Sequence, residues 1–202
     1  VGAHKGEFAS YILKIKTITK IFCFEPQLLI YELLKKKFKK NKKIKVFNLA
    51  LDKKKSKKII YNNKLTSTST LQKFNNKSFY LKIKKLLTFS KYNYQNTDII
   101  NTNSLDNIFN KINLKNVLLK IDVEGYEMNV LIGGKKHLKN KIDYILIEHQ
   151  FGNQYKDNST IKINCFLKKN NFKIVKSFIY STLHFKDVLY KKESNLAIKN
   201  IK

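Results

Sequence analysis

Apolar positions along the chain fall in short runs separated by lysine-rich stretches, and the spacing changes from run to run. TKIFCFEP (residues 19–26) reads as a short buried strand closed by the single proline. LLIYELLKKKFKK (28–40) follows as a helix, with Leu29, Leu33 and Leu34 at helical spacing beside a lysine face. IKVFNLAL (44–51) is the next strand and KKIIYNN (57–63) another. Residues 64–96 are polar around one mixed segment, SFYLKIKKLLTF, which predicts a mobile loop or lid. From residue 97 a strand leads to Ser104, the N-cap of a helix carrying Leu105, Ile108 and Phe109. NVLLKID (116–122) and DYILIEHQ (143–150) are nearly continuous apolar runs, the mark of strands buried on both faces. Between them EMNVLIGGKKHLKN reads as one helix weakened in its middle by Gly133 and Gly134. A helix near 161–169 and strands near 172–178 and 188–191 complete the pattern.

Strands alternating with helices predict one α/β domain over residues 1–202, with a mostly parallel sheet and helices on both faces. Such sheets bind ligands beyond the carboxyl ends of their strands. Those ends carry Glu25, Asn48 to Leu51, Asp122 with Glu124, and Glu148 with His149. Carboxylates gathered at one sheet edge cost desolvation and repulsion unless something uses them. Helix capping, worth about 1 kcal/mol, accounts for Glu124 and Asp122 but not for Glu148. Glu25 also lies roughly twenty residues beyond the glycine-bearing start VGAHKGEF, the separation at which an acid hydrogen-bonds the ribose of a nucleotide-type cofactor.

At 202 residues and 43% hydrophobic, the chain can bury the core of one domain. The net charge of +28 invites a nucleic-acid partner, but all 42 basic residues are lysine. Without guanidinium forks for phosphates and base edges, and with Asn, Ile and Lys abundant as in AT-rich coding, nucleic acid is disfavoured and most lysines read as solvated faces. No apolar run reaches the length of a membrane span, which leaves at most weak peripheral contact with a membrane. Cys23, inside IFCF, and Cys165 form neither a disulfide framework nor a metal set, so a reducing cytoplasm is expected. The sequence sets no oligomeric state.

VGAHKGEFAS, CFEP, NLAL, TNSLD and above all LLKIDVEGYEMNVLIGG resemble the FkbM-type methyltransferases, a branch of the class I S-adenosylmethionine-dependent fold. The resemblance runs from residue 1 to about residue 150. It implies a seven-stranded Rossmann-like sheet, S-adenosylmethionine as methyl donor, and O-methylation of a sugar, glycan or other small-molecule hydroxyl. In the family a first strand ending in an acid precedes the glycine loop. Val1 then stands as the last residue of that strand, between the strands ending at Glu25 and Asp122, and the chain reads as lacking the N-terminal part of the family's domain.

By the same resemblance Gly2, Ala3 and Gly6 line the methionine end of the cofactor, Glu25 holds the ribose, and Asn48, Ala50 and Leu51 border the adenine. Asp122 serves the methionine end or the acceptor hydroxyl, and Glu124 and Glu127 shape the acceptor pocket. Glu148 and His149 join Asp122 as catalytic candidates, with a partly exposed histidine of no role as the alternative for His149. His4 reads as packed in the loop, and His137 as a surface residue. The Ser67 to Thr70 hydroxyls read first as linker. No metal is implied. The competing reading is a basic Rossmann-like module on RNA or anionic surfaces, or an RNA methyltransferase stacking bases on aromatics such as Tyr126.

Overall fold

The computed structural model describes residues 1–63, 69–72, 94–150, 159–179 and 185–193. Its elements run α1 (Glu7–Ile12), β1 (Ile21–Phe24), α2 (Leu28–Phe38), β2 (Ile44–Phe47), β3 (Ala50–Leu51), β4 (Ser56–Asn63), β5 (Tyr94–Asn103) and α3 (Leu105–Ile108). They continue with β6 (Val117–Ile121), α4 (Glu127–Gly133), α5 (Lys135–Asn140), β7 (Ile142–Gln150), α6 (Thr160–Lys169), β8 (Phe172–Ile179) and β9 (Phe185–Lys192). The domain is mixed α/β.

Strands β2 and β1 pair in parallel, as do β6 and β7, while β9 runs antiparallel between β7 and β8. The first three residues join these groups. Val1 donates its amino nitrogen to the Lys120 carbonyl (2.8 Å), and its own carbonyl accepts from the Asp122 amide (3.3 Å). On the other side the Ala3 amide donates to the Phe24 carbonyl (3.0 Å). The order across the molecule is therefore β2, β1, Val1–Ala3, β6, β7, β9, β8, and the carboxyl ends of β1 and β6 face each other across the start of the chain. A separate group, β3-β5-β4, combines a parallel and an antiparallel pairing.

The core is built mainly from the helix-covered face of β6 and β7. Ile121, Ile145 and Ile147 are fully buried there with Leu131 and Leu138 from α4 and α5 and Leu167 from α6. A smaller cluster of Ala9, Cys23, Leu34 and Phe38 binds α1 and α2 to β1.

Several expectations need correction. Parallel and antiparallel pairings are equally represented among the described strands, so the sheet system is not mostly parallel. The 44–51 run is two strands with different partners, β2 on β1 and β3 on β5, parted by a bend at Asn48 and Leu49. On α2 the buried stripe is Ile30, Leu34 and Phe38; Leu29 and Leu33 face out at 81% and 53% exposure. Strands β6 and β7 alternate rather than burying both faces, leaving Leu118 and Tyr144 exposed. Strand β5 starts at Tyr94, three residues inside the expected lid. Of that lid, only Ser69–Gln72 and the strand residues 94–96 fall within the described part; residues 64–68 and 73–93 lie outside it.

The expected helix over 127–140 is two, broken at the glycine pair. The two glycines differ in their surroundings: a Cβ on Gly133 would overlap the Asp52 carbonyl oxygen, whereas one on Gly134 would meet nothing nearer than Leu105 at 3.5 Å. An ordinary helical Gly→Ala change stabilises by about 0.5–1 kcal/mol. Gly133→Ala is expected to do the opposite, costing about 1–3 kcal/mol through overpacking. Gly134→Ala is expected to be neutral or mildly stabilising. Thermal melts of the two variants check this, and indistinguishable melting temperatures would refute the close approach at Gly133.

Candidate active site

A cavity of about 520 Å³ opens where β1, β3 and β6 end. Its floor is the first loop, Val1 to His4, with Glu7 and Phe8 of α1; its walls are Phe24 to Gln27, Leu49 to Leu51, and Lys120 and Asp122 to Glu124 with Tyr126. Ser69, Thr70 and Leu71 also line it, together with Ile60.

The first loop turns through three left-handed residues, Gly2 (φ 71°), His4 (φ 45°) and Gly6 (φ 76°). That path aims the His4 amide at Glu25, whose Oε2 accepts it at 2.9 Å while Oε1 accepts the Gln27 amide at 3.0 Å. Glu25 is 3% exposed, and burial raises its pKa against the opposing pull of these two amides. Each oxygen accepts one backbone N–H; Oε1 also meets the Gln27 side-chain Nε2 at 3.5 Å, which leaves Oε2 with room for a second donor. Asn48 stands behind it, donating Nδ2 to the Glu25 and Pro26 carbonyls (3.1 and 3.0 Å).

Across the cavity, Asp122 follows β6 and pairs through Oδ2 with Lys120 Nζ (2.6 Å), whose ammonium also sits over the Phe8 ring. The next residues are strained: Glu124 (φ 51°) and Gly125 (φ 91°) are left-handed. Polar contacts hold them. Thr70 Oγ1 donates to the Glu124 carbonyl (2.5 Å), Gln150 to the Glu124 carboxylate, and the Gly125 amide to Glu127 Oε1 (3.0 Å).

Behind the wall lies a group the sequence reading passed over. Asp52 is 1% exposed; Tyr126 donates its hydroxyl to Oδ1 (2.8 Å) and Lys58 pairs with Oδ2 (2.9 Å) while also bonding the Tyr126 oxygen. Burial alone would raise the Asp52 pKa, but the bonds from Lys58, the Lys53 amide and Tyr126 outweigh it and hold it below the ordinary value. Burial pushes the Tyr126 phenol up to about 12, so it serves as a donor and not as a base. One signal was present in the sequence: an acid directly ending the apolar run LAL.

Gly2, Ala3, Glu25, Ala50, Leu51, Asp122 and Glu124 thus meet at one cavity. The other expected residues do not line it. Gly6 packs on Leu34 and Phe38, where a Cβ would collide with both side chains. Asn48 braces the end of β1. Glu127 is buried under its own loop. Glu148 lies beside Asp122, since Ile121 and Ile147 are paired in register; burial, then the charges of Asp122 and Glu124, lifts its pKa well above the carboxylate range. His149 is on the opposite face, 2% exposed, with Nε2 bonded to the Tyr190 hydroxyl (2.8 Å), and burial holds its pKa down to about 4. The expectation of a partly exposed ring is therefore corrected: His149 is packed inside, away from the cavity. His137 is not a surface residue: it is 8% exposed and bonds Asp106 at 2.7 Å. Ser67 and Thr68 lie outside the described residues, but Ser69 and Thr70 belong to the cavity wall and not to a linker. Among the described residues no group of three or more His, Cys, Asp or Glu is placed to hold a metal ion.

The family model described as "Methyltransferase FkbM domain" matches residues 1–174. The crystal structure of methyltransferase FkbM from Methylobacillus flagellatus superposes with a TM-score of 0.57 at 15% identity, over 94% of this chain. The chain spans only 41% of that protein's length. No curated protein matches the chain.

Glu127 generates a pH prediction. Its Oε2 is buried without a partner, and burial, reinforced by Glu124 and Asp122, pushes its pKa up to about 7 from 4.5. A raised carboxyl binds its proton more tightly in the folded state, so its contribution is full below pH 4.5 and is lost as pH rises through 7. A shift of that size corresponds to about 3 kcal/mol at alkaline pH. Glu127→Gln, which is neutral throughout, should therefore raise the melting temperature clearly at pH 8 and little at pH 4.5. A variant whose effect is the same at both values would contradict the burial of a charged Glu127.

Proposed function

The chain belongs to the FkbM methyltransferase family, and we propose that it binds S-adenosylmethionine in this cavity and methylates a hydroxyl of a sugar, glycan or other small acceptor. The observation that carries the reading is Glu25: a buried carboxylate in the cavity wall, oriented by two backbone amides, with acceptor capacity left on Oε2. An acceptor held in this way fits a ribose hydroxyl. The strand order from β2 to β8 supports a Rossmann-like class I sheet, with Val1–Ala3 in the place of its central strand.

In this reading Leu49, Ala50, Leu51 and Ile60 offer an apolar wall to the adenine, and Gly2 and Ala3 let the backbone approach the methionine end. The cofactor supplies a methyl group already activated on a sulfonium, leaving the protein to align the acceptor and take its proton. Alignment of reacting groups is worth up to about 7–11 kcal/mol, and a positioned base about 10²–10⁴ in rate. Asp122 is the assigned proton acceptor. Lys120 holds its Oδ2, which fixes the carboxylate's orientation at the cavity. With the cofactor bound, Asp122 would accept the proton of the acceptor hydroxyl as it is methylated and pass it on to water. Glu124, held by Thr70 and Gln150, shapes the acceptor side. Glu148 stands behind Asp122 as its neighbour, not as a second base.

Glu25→Gln keeps the shape and one acceptor oxygen but removes the charge. It should weaken S-adenosylmethionine binding by about 1.5–3 kcal/mol, the value of a charged hydrogen bond. Calorimetric titration reads this, with a melt to show that the fold survives. Unchanged affinity would remove the ribose assignment, and absence of binding by the unsubstituted protein would remove the cofactor.

A further inference from the structure

Helix α2 carries an outward face that the core does not use. Its buried stripe is Ile30, Leu34 and Phe38, packed on Gly6, Ala9 and β1. Opposite lie Leu28, Leu29 and Leu33, 62%, 81% and 53% exposed, followed along the same helix and its exit by exposed Lys35, Lys36, Lys39, Lys40, Lys42 and Lys43. Single exposed leucines need no explanation, but three on the first two turns of one helix form a patch. Helix α1, joined to α2 through the same cluster, also leaves apolar tips outside, with Tyr11 at 67% exposure and Ile15 just beyond it at 45%.

We propose that the outward face of α2 docks on an anionic lipid bilayer, with Leu28, Leu29 and Leu33 entering the headgroup boundary and the lysines engaging lipid phosphates. Charge complementarity selects this occupant over the alternatives. A second copy meeting this face by two-fold symmetry would bring the same lysine block against itself, with Glu32 as the single acid of the helix to offset it. A polyanionic nucleic acid satisfies the lysines but gives exposed leucines no apolar partner. An anionic bilayer satisfies both, because lysine stems lie along apolar surface while their ammonium groups stay at the phosphates. Juxtamembrane lysines each add to the attraction within a Debye length of the surface. Leu28 follows directly on Gln27 of the cavity wall, so a docked α2 brings the cavity close to the bilayer.

Co-sedimentation tests the surface with vesicles of phosphatidylcholine alone and of phosphatidylcholine with one quarter phosphatidylserine. The protein is expected to partition onto the serine-containing vesicles at least about tenfold better, and less at raised salt. Because a chain of net charge +28 is attracted to any anionic surface, the deciding variant is Leu29→Ser with Leu33→Ser. Both side chains are exposed, so the melt should be unchanged while partitioning falls several-fold. Equal partitioning of the variant and the unsubstituted protein would overturn the proposal, assigning attraction to the charged surface as a whole. So would absence of lipid selectivity, or a concentration-dependent dimer that the double substitution abolishes.

Discussion

The passage of Val1–Ala3 between β1 and β6 is the constraint on which the rest depends. Gly2 fits there only without a side chain: its φ is left-handed, and a Cβ would overlap the Asp122 carbonyl oxygen. Backbone bonds on both sides then lock β6 and β1 to one another through the loop. From that follow the positions of the two carboxylates. Glu25 ends one neighbour and is reached by the His4 amide; Asp122 ends the other and donates its amide back to Val1. The same tightness recurs at Gly6, where the loop meets Leu34 and Phe38 and seats α1 against α2. A side chain at Gly2 would open the floor of the cavity, because Val1–Ala3 is hydrogen-bonded to both β1 and β6.

The opposite wall adds polar ties to the apolar packing of Leu51 in the main core and of Ala50, Ile60 and Ile100 with one another. Strand β3 is only two residues long, and β4 is attached through β5. What ties this group to the loop after β6 is the Asp52, Lys58 and Tyr126 set together with Thr70. A buried carboxylate such as Asp52 is costly unless fully bonded, and here a phenol, an ammonium and an amide bond it. Thr70 is 2% exposed and exchanges two backbone bonds with Tyr61 while capping Glu124. The left-handed backbone of Glu124 and Gly125 is therefore over-determined by neighbours, the condition under which strained loops persist beside reactive groups.

Element types were legible because period and cap agreed. IFCF, VLLKI and the Ser104 cap appear as read, and Ser104 Oγ accepts the Asn107 amide (3.1 Å). The cavity's acids were legible from strand ends. What failed involved choices that spacing cannot make. Leu29–Leu33 and Ile30–Leu34 have the same helical period one residue apart, and only the position of Gly6 and Ala9 decides which pair is buried. The glycine pair signalled a weak helix, but that Gly133 yields to the Asp52 carbonyl is a tertiary fact. Lys58 was one of many lysines; nothing local separates it from Lys57, whose side chain points the other way across the strand. His137 looked like a surface residue for the same reason, yet Asp106 from α3 draws it in.

Strand alternation settles a further choice that the sequence left open at Glu148 and His149. Successive side chains on β7 point to opposite faces, so both cannot serve one cavity. The face is decided two residues earlier: Ile145 and Ile147 are fully buried under the helices, and His149 shares their parity. It therefore meets Tyr190, which is bonded in turn to Asn164 of α6 (2.5 Å). Slipping the strand by one residue to turn His149 toward the cavity would expose both isoleucines and bury Leu146 in their place. At about 1.5–3 kcal/mol for each fully buried aliphatic side chain, that exchange is far dearer than any single hydrogen bond could return. The core thus dictates that the β7 neighbour of Asp122 is a carboxyl and not an imidazole. Two adjacent carboxyls on one face favour one charged and one protonated member. Burial, reinforced by the neighbouring acids, makes Glu148 the member that keeps its proton, while Lys120 pairs with Asp122.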